Sequence, residues 1–355
     1  MKRHALNLGW LLLCILIISN EPFLSGDQSG EAVYSREEMR FDSGHFRIVG
    51  DLHVPNPGKR QPAVIIVHGD GPAGRSLSRA PNRIISGFLD IGFACLIYDK
   101  PGYGESTGEF TRGKLFEERA SILLAAVAAL KNHPSVNPKQ IGLWGISQAG
   151  YVMPKAAAGT NDIAFMIAVS CPGTDSVEQS AYLVEKQVIC HGYSEAEAKK
   201  AGRSYRQRAR AKTYQEYLEA AESLDQNPVV SSMKWGGILS ADRFSPRPPS
   251  DQGFFNPTTL IEKITIPVLA IFGENDTQID PYQGADAYKK ALENAGNPSY
   301  RVVLFPEADH GIFLSKTGCI KDRGSSRDYA SGYIELMQEW LGSLRGTWER
   351  PANPR

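Results

Sequence analysis

Charge of one sign is what this sequence most clearly lacks. Lys and Arg together number 39, as do Asp and Glu, so the 355 residues carry no formal net charge. A balanced chain offers no extended basic face for nucleic acid or an anionic membrane. The one local basic cluster, Lys199–Lys212, is flanked by Glu on both sides and reads as a solvated helix face. Long apolar runs are also missing. Leu8–Ile18 supplies about eleven apolar residues, short of the roughly 20 that span a bilayer. It follows Met1-Lys2-Arg3-His4 and precedes a polar stretch, the layout of a signal peptide. Residues 1–26 are therefore expected to direct export to the periplasm or the medium. No clean small-x-small triplet precedes Gly26 or Ser29, so an uncleaved anchor is the alternative and the only route to a membrane. Cysteine is scarce: Cys14, Cys95, Cys171, Cys190 and Cys319. No Cys or His spacing matches a metal site, so neither metal nor cofactor is expected. Cys95 and Cys171, in or beside apolar runs, read as small buried hydrophobes. Cys190 and Cys319 are able to pair in an oxidising compartment. Internal repeats and long low-complexity tracts are absent.

What is present is ordinary globular material, 42% hydrophobic and 22% charged, enough for one large core with an insertion. Residues 20–40 are polar and expected to be loosely ordered. Phe41–Val54 alternates around a glycine and predicts an antiparallel hairpin. Six apolar runs without alternation then follow: Ala63–Val67, Ala94–Tyr98, Ile141–Trp144, Phe165–Val169, Val268–Phe272 and Arg301–Phe305. Such runs suit strands covered on both faces, and Lys114–Lys131 between them has helical spacing. The order predicts an α/β fold, a mostly parallel sheet flanked by helices, over residues 40–345. Residues 175–257 interrupt it with charged, helix-like sequence and an irregular tract, and are expected to form a helical cap over the carboxyl ends of the strands. In that insertion Tyr182, Tyr205, Tyr214, Trp235, Phe254 and Phe255 are candidates for an apolar pocket, although most fit the insertion's own core better.

Chemistry concentrates at Ile141–Gly150, where a β-run ends in Gly145-Ile-Ser147-Gln148-Ala149 and a helix-like segment follows. A nucleophile on a sharp strand-to-helix turn needs small neighbours two positions away on each side, and Gly145 and Ala149 qualify. The new helix turns its free amides toward developing negative charge. Pro154 is expected to kink that helix. A serine nucleophile needs a base, and the base needs an orienting acid. Asp276 follows the run Val268–Phe272, and His310 follows Arg301–Phe305, giving the order Ser, acid, base. Glu274, Asp280 and Asp309 compete for the acid role; Asp276 is preferred for its place a few residues past the strand, whereas Asp309 adjoins His310. An oxyanion needs backbone donors. Gln148 supplies one, and the glycine-rich loop His68–Gly74 supplies the other from Asp70 or Gly71.

Taken together, HGDGPAGR (68–75), LIYDKPGYGESTG (96–108), GLWGISQAG (142–150), IPVLAIFGENDTQID (266–280) and PEADHG (306–311) resemble the α/β-hydrolase superfamily. Within it they are most similar to bacterial esterase and dienelactone-hydrolase-like proteins related to serine aminopeptidases. The resemblance implies a Ser147–Asp276–His310 triad, an oxyanion hole at Gln148 and Asp70 or Gly71, and a cap. Ala149 stands where glycine is commoner. The expected activity is hydrolysis of a small carboxylic ester through an acyl-enzyme. A peptidase or amidase acting on a short peptide is the alternative, and a non-catalytic binding protein the remote one.

Overall fold

The computed structural model describes residues 34–71, 73–75, 82–109, 115–233, 238–322 and 328–348. The expected leader and Trp235 lie outside them. Strands β1 (Ser35–Ser43) and β2 (Phe46–Val54) form the hairpin. It begins at Ser35, inside the stretch expected to be loosely ordered. As an edge strand, β1 exposes much of its length to water and tolerates a polar sequence.

Strands β3 (Gln61–Val67), β4 (Ala94–Tyr98), β5 (Val136–Ile146), β6 (Met166–Val169), β7 (Val268–Gly273) and β8 (Tyr300–Phe305) complete one sheet in the order β1-β2-β4-β3-β5-β6-β7-β8. β4 pairs antiparallel with β2, and every later pairing is parallel. β3, β4, β6 and β7 are buried along their whole length, as apolar runs without alternation require.

Helices α1 (Arg83–Asp90), α2 (Leu115–Lys131), α3 (Ala149–Ala157), α9 (Pro281–Asn294) and α10 (Tyr333–Trp348) cover the sheet. Two apolar clusters sit on opposite faces: one joins α2, α3 and α9 to the sheet, the other α1 and α10. Alternate residues of β3 divide between them, Ile65 to the first and Ile66 to the second.

Between β6 and β7 the chain runs through α4 (Ser176–Cys190), α5 (Glu195–Arg210), α6 (Tyr214–Asp225), α7 (Pro228–Ser232) and, after an irregular stretch, α8 (Thr258–Ile261). α5 and α6 begin with capping boxes, Ser194/Glu197 and Thr213/Glu216, which satisfy otherwise orphaned amides. The basic run on α5 is less solvated than its composition suggests. Arg206 bonds Glu178 and Glu185 at 2.7 Å each, and Arg210 reaches Glu178 at 2.7 Å, so these cations fasten α5 to α4.

The strand order reverses direction at β3, whose neighbours are β4 on one side and β5 on the other. At such a switch point the loops leaving adjacent strands diverge and open a crevice. Val67 pairs with Gly145, so the loop from His68 and the turn at Ser147 leave the sheet side by side.

Candidate active site

Ser147 follows β5 with φ +60°, a left-handed conformation that costs a non-glycine residue free energy. Two close approaches hold the turn there. A Cβ on Gly145 would lie 2.7 Å from the Ala149 Cβ, and one on Gly69 would lie 3.2 Å from the Ser147 Cβ. Ala149 fits because Gly145 opposite it has no side chain. α3 then starts, with Pro154 inside it. The proline removes one amide donor, yet the helix continues to Ala157, and Ala158 donates to the Pro154 carbonyl at 3.0 Å.

Asp276 lies in the loop after β7 and His310 in the loop after β8. His310 Nδ1 stands 2.8 Å from Asp276 Oδ2, with the aspartate 2% exposed and the histidine 8%. A carboxylate facing Nδ1 fixes the tautomer with the proton on that nitrogen and leaves Nε2 as the acceptor. The other carboxylate oxygen accepts from the Gln278 and Ile279 amides at 2.7 and 3.0 Å. Two of the three competing acids are committed elsewhere. Asp280 caps α9, and Asp309 Oδ1 accepts from the Gly311 and Phe313 amides. Ser147 Oγ makes no hydrogen bond to the His310 ring among the described residues. Such contacts often tighten only with substrate in place.

The glycine-rich loop after β3 rests on buried cations. Lys100 Nζ donates to the Gly69 and Gly71 carbonyls, at 2.6 Å each. Arg119, from α2, donates to the His68 carbonyl and, through Nη1, to Gln148 Oε1 at 2.6 Å. Gln148 Nε2 in turn donates to Asp70 Oδ1 at 2.7 Å. Burial pushes Lys100 down to about 7, helped by the Arg119 charge and opposed by Asp70. Burial likewise lowers Arg119 to about 10, so it stays charged at neutral pH. His68, buried beside Lys100, falls to about 3 and is neutral; its Nε2 donates to the Tyr98 carbonyl at 3.0 Å. The backbone amides of Asp70 and Gln148 make no hydrogen bond among the described residues.

Ser147, Gln148 and Asp70 share a cleft of about 730 Å³ with residues of the helical insertion. Its lining is largely polar, with Gln148, Gln179, Gln252, Gln278, Ser176 and Ser180 facing it beside apolar Leu115, Phe116 and Ile279. Of the candidate aromatics among the described residues only Tyr205 takes part, in line with most of them belonging to the insertion's own core. Tyr214 stacks on Tyr217 and meets Phe244 at a tilt, Phe255 packs beside Phe116 and Tyr151, and the Tyr182 hydroxyl donates to the Asp276 carbonyl at 2.8 Å. Lys100 and Arg119 are the residues that sequence reasoning missed. A lysine in a D-K-P-G-Y-G turn and an arginine within α2 look solvent-exposed until the fold buries them. Among the described residues, no group of three His, Cys, Asp or Glu is placed to hold a metal ion, and no helix is long and apolar enough to cross a membrane.

The model of the X-Pro dipeptidyl-peptidase family, S15, matches residues 28–311. The chain belongs to the S15 family. That membership agrees with the α/β-hydrolase architecture of the sheet and its flanking helices. Among curated relatives, the quorum-quenching protein AidA of Acinetobacter baumannii is 27% identical over 143 residues, 40% of this chain and 46% of AidA. The polyketide transferase grgF of a Penicillium species is 41% identical over 83 residues, 23% of this chain and 28% of grgF. The S15 chain thus spans less than half the length of these relatives. Solved structures share the fold more broadly. The Pyrococcus furiosus esterase Pf2001 aligns with TM-score 0.54 and 16% identity, over 87% of this chain and 93% of the esterase. The α/β hydrolase GrgF aligns with TM-score 0.53 and 22% identity, over 88% and 98%.

Proposed function

We propose that this S15-family chain is a serine hydrolase that cleaves carboxylic esters through an acyl-enzyme on Ser147. The observation that carries the reading is a serine held at φ +60° on the strand-to-helix turn, with a cleft that also takes in Gln278 and Ile279, whose amides hold Asp276 against His310. In this reading His310 Nε2 takes the Ser147 proton as Oγ attacks the acyl carbonyl. The imidazolium, steadied by Asp276, then returns the proton to the leaving alcohol. Water repeats the cycle and releases the acid. The oxyanion is held by the Gln148 amide and an amide of the loop after β3. The insertion acts as the cap, and its amide-rich lining favours acyl groups that carry hydrogen-bonding substituents.

A second reading, amide or peptide cleavage by the same residues, is favoured by the S15 match itself. A panel of p-nitrophenyl esters against aminoacyl and X-Pro p-nitroanilides on the purified protein separates the two. The ester reading expects esters to turn over faster; faster anilide turnover would replace it with the peptidase reading. Export, and a leader that either is cleaved or anchors the chain, belongs to the same proposal. N-terminal sequencing of protein recovered from each cell fraction tests it, and intact protein confined to the cytosol would sink it.

A further inference from the structure

The loop after β3 offers two amides, Asp70 and Gly71, as the second oxyanion donor. The carbonyl directions decide between them. In a planar trans peptide, the C=O of one residue and the N–H of the next point opposite ways. Lys100 holds the Gly69 carbonyl at 2.6 Å, so the Asp70 N–H points away from the ammonium. Arg119 holds the His68 carbonyl in the same manner and turns the Gly69 N–H away. The Gly71 carbonyl is also on Lys100, but the Gly71 N–H is aimed by the Asp70 carbonyl, which accepts no hydrogen bond among the described residues, so of the two only the Asp70 amide is fixed. Asp70 faces the cleft beside Ser147 and Gln148, and its side chain is tied to that of Gln148.

We infer that Lys100 and Arg119 are positioning residues that set the oxyanion hole, fixing the Asp70 amide as the partner of the Gln148 amide. The inference rests on the serine-hydrolase reading of Ser147. The two cations act from behind the loop, never touching substrate, through three carbonyls and one glutamine side chain. Arg119 grips both halves of the hole at once, since Gln148 lies on the far side of the crevice from His68.

The test compares Lys100→Met, Lys100→Gln and Arg119→Lys with wild type, checking the fold by thermal melting. Two readouts are taken: kcat and KM for p-nitrophenyl esters, and the rate at which a fluorophosphonate labels Ser147. The second develops an oxyanion whatever the natural substrate is. Loss of a single oxyanion donor costs about 10²–10³ in kcat. A misaimed donor retains part of its effect, so K100M should lose about 10- to 100-fold in both kcat and labelling rate, with KM within about twofold. K100Q, able to hold one carbonyl, should recover part of the loss. Labelling of folded K100M at the wild-type rate, or a change confined to KM, overturns the positioning role while Ser147 stands. Failure of wild type to label, or labelling that survives Ser147→Ala, removes the serine-hydrolase reading and the inference with it. Should K100M not fold, R119K carries the same comparison through the His68 carbonyl.

Discussion

At the scale of single residues, the arrangement around His310 makes a sharper demand than the presence of a serine does. Asp276 presents one oxygen to the ring and keeps the other on two backbone amides. Asp276→Asn can satisfy those amides with its carbonyl oxygen, but it then turns an NH₂ toward Nδ1. The ring must answer with its other tautomer, which carries a proton on Nε2 and cannot accept one from serine. Turnover should therefore fall by about 10³–10⁴ without loss of fold. Steady-state kinetics beside a thermal melt check this, and a loss below tenfold in a folded variant would remove Asp276 from its role. Ser147→Ala should abolish fluorophosphonate labelling outright, read by gel or mass spectrometry. The order Ser147, Asp276, His310 was legible in sequence because each follows a recognisable apolar run, although β8, at the sheet edge, is only partly buried. Lys100 and Arg119 were not, because their partners are carbonyls 29–51 positions away, and only the parallel pairing of β3 with β4 and β5 brings them together.

Among the elements, α4 is the one whose role composition conceals. Its sequence reads as a charged insertion helix, yet one stripe lies along the loop that holds the acid. Gln179 donates to the Gln278 carbonyl at 2.6 Å, Tyr182 to that of Asp276, and Gln187 to Thr277 Oγ1 at 3.1 Å. Thr277 passes the chain on to the Gly318 carbonyl at 2.7 Å, and the Cys190–Cys319 disulfide closes the end of the helix onto that neighbouring segment after β8. A crosslink between residues 129 positions apart restricts the unfolded chain strongly. Replacing both cysteines by serine should cost about 2–5 kcal/mol, read as a lowered denaturant midpoint, and an unchanged midpoint would contradict it. Strand positions were legible because burial on both faces leaves apolar runs. The contacts of α4 were not, since polar side chains give no sign of whether they meet water or a neighbouring loop.

For the molecule as a whole, two ionic features set how stability responds to its surroundings. Arg75, only 3% exposed, ties together Glu38 of β1, Asp51 of β2, Asp99 after β4, and Glu105. Burial opposes its charge, but these four carboxylates outweigh that and hold it protonated. Arg75→Met leaves the buried Asp51 and Asp99 without their cation and should cost about 3–5 kcal/mol, measured by urea unfolding; a loss under about 1 kcal/mol would show the hub to be dispensable. Lys100 acts through pH. Its folded value is held near 7, below its ordinary 10.5, by burial and by Arg119 on α2, against the opposing charge of Asp70. Between those values the unfolded chain binds a proton that the folded chain does not, so stability rises with pH across the window and is flat below it. The stability of wild type relative to K100M should therefore grow between pH 6.5 and about 9.5, well before Arg119, at about 10, contributes in the same direction. Urea midpoints at the two pH values decide it, and an equal difference at both would rule it out.

The stitching of α4 to the acid loop has a consequence for anyone who would re-engineer this chain. The insertion cannot be exchanged as an independent module. A foreign insertion grafted between β6 and β7 would arrive without partners for Gln278, Asp276, Thr277 and Cys319. It would disturb turnover along with selectivity unless positions 179, 182, 187 and 190 travelled unchanged with the graft.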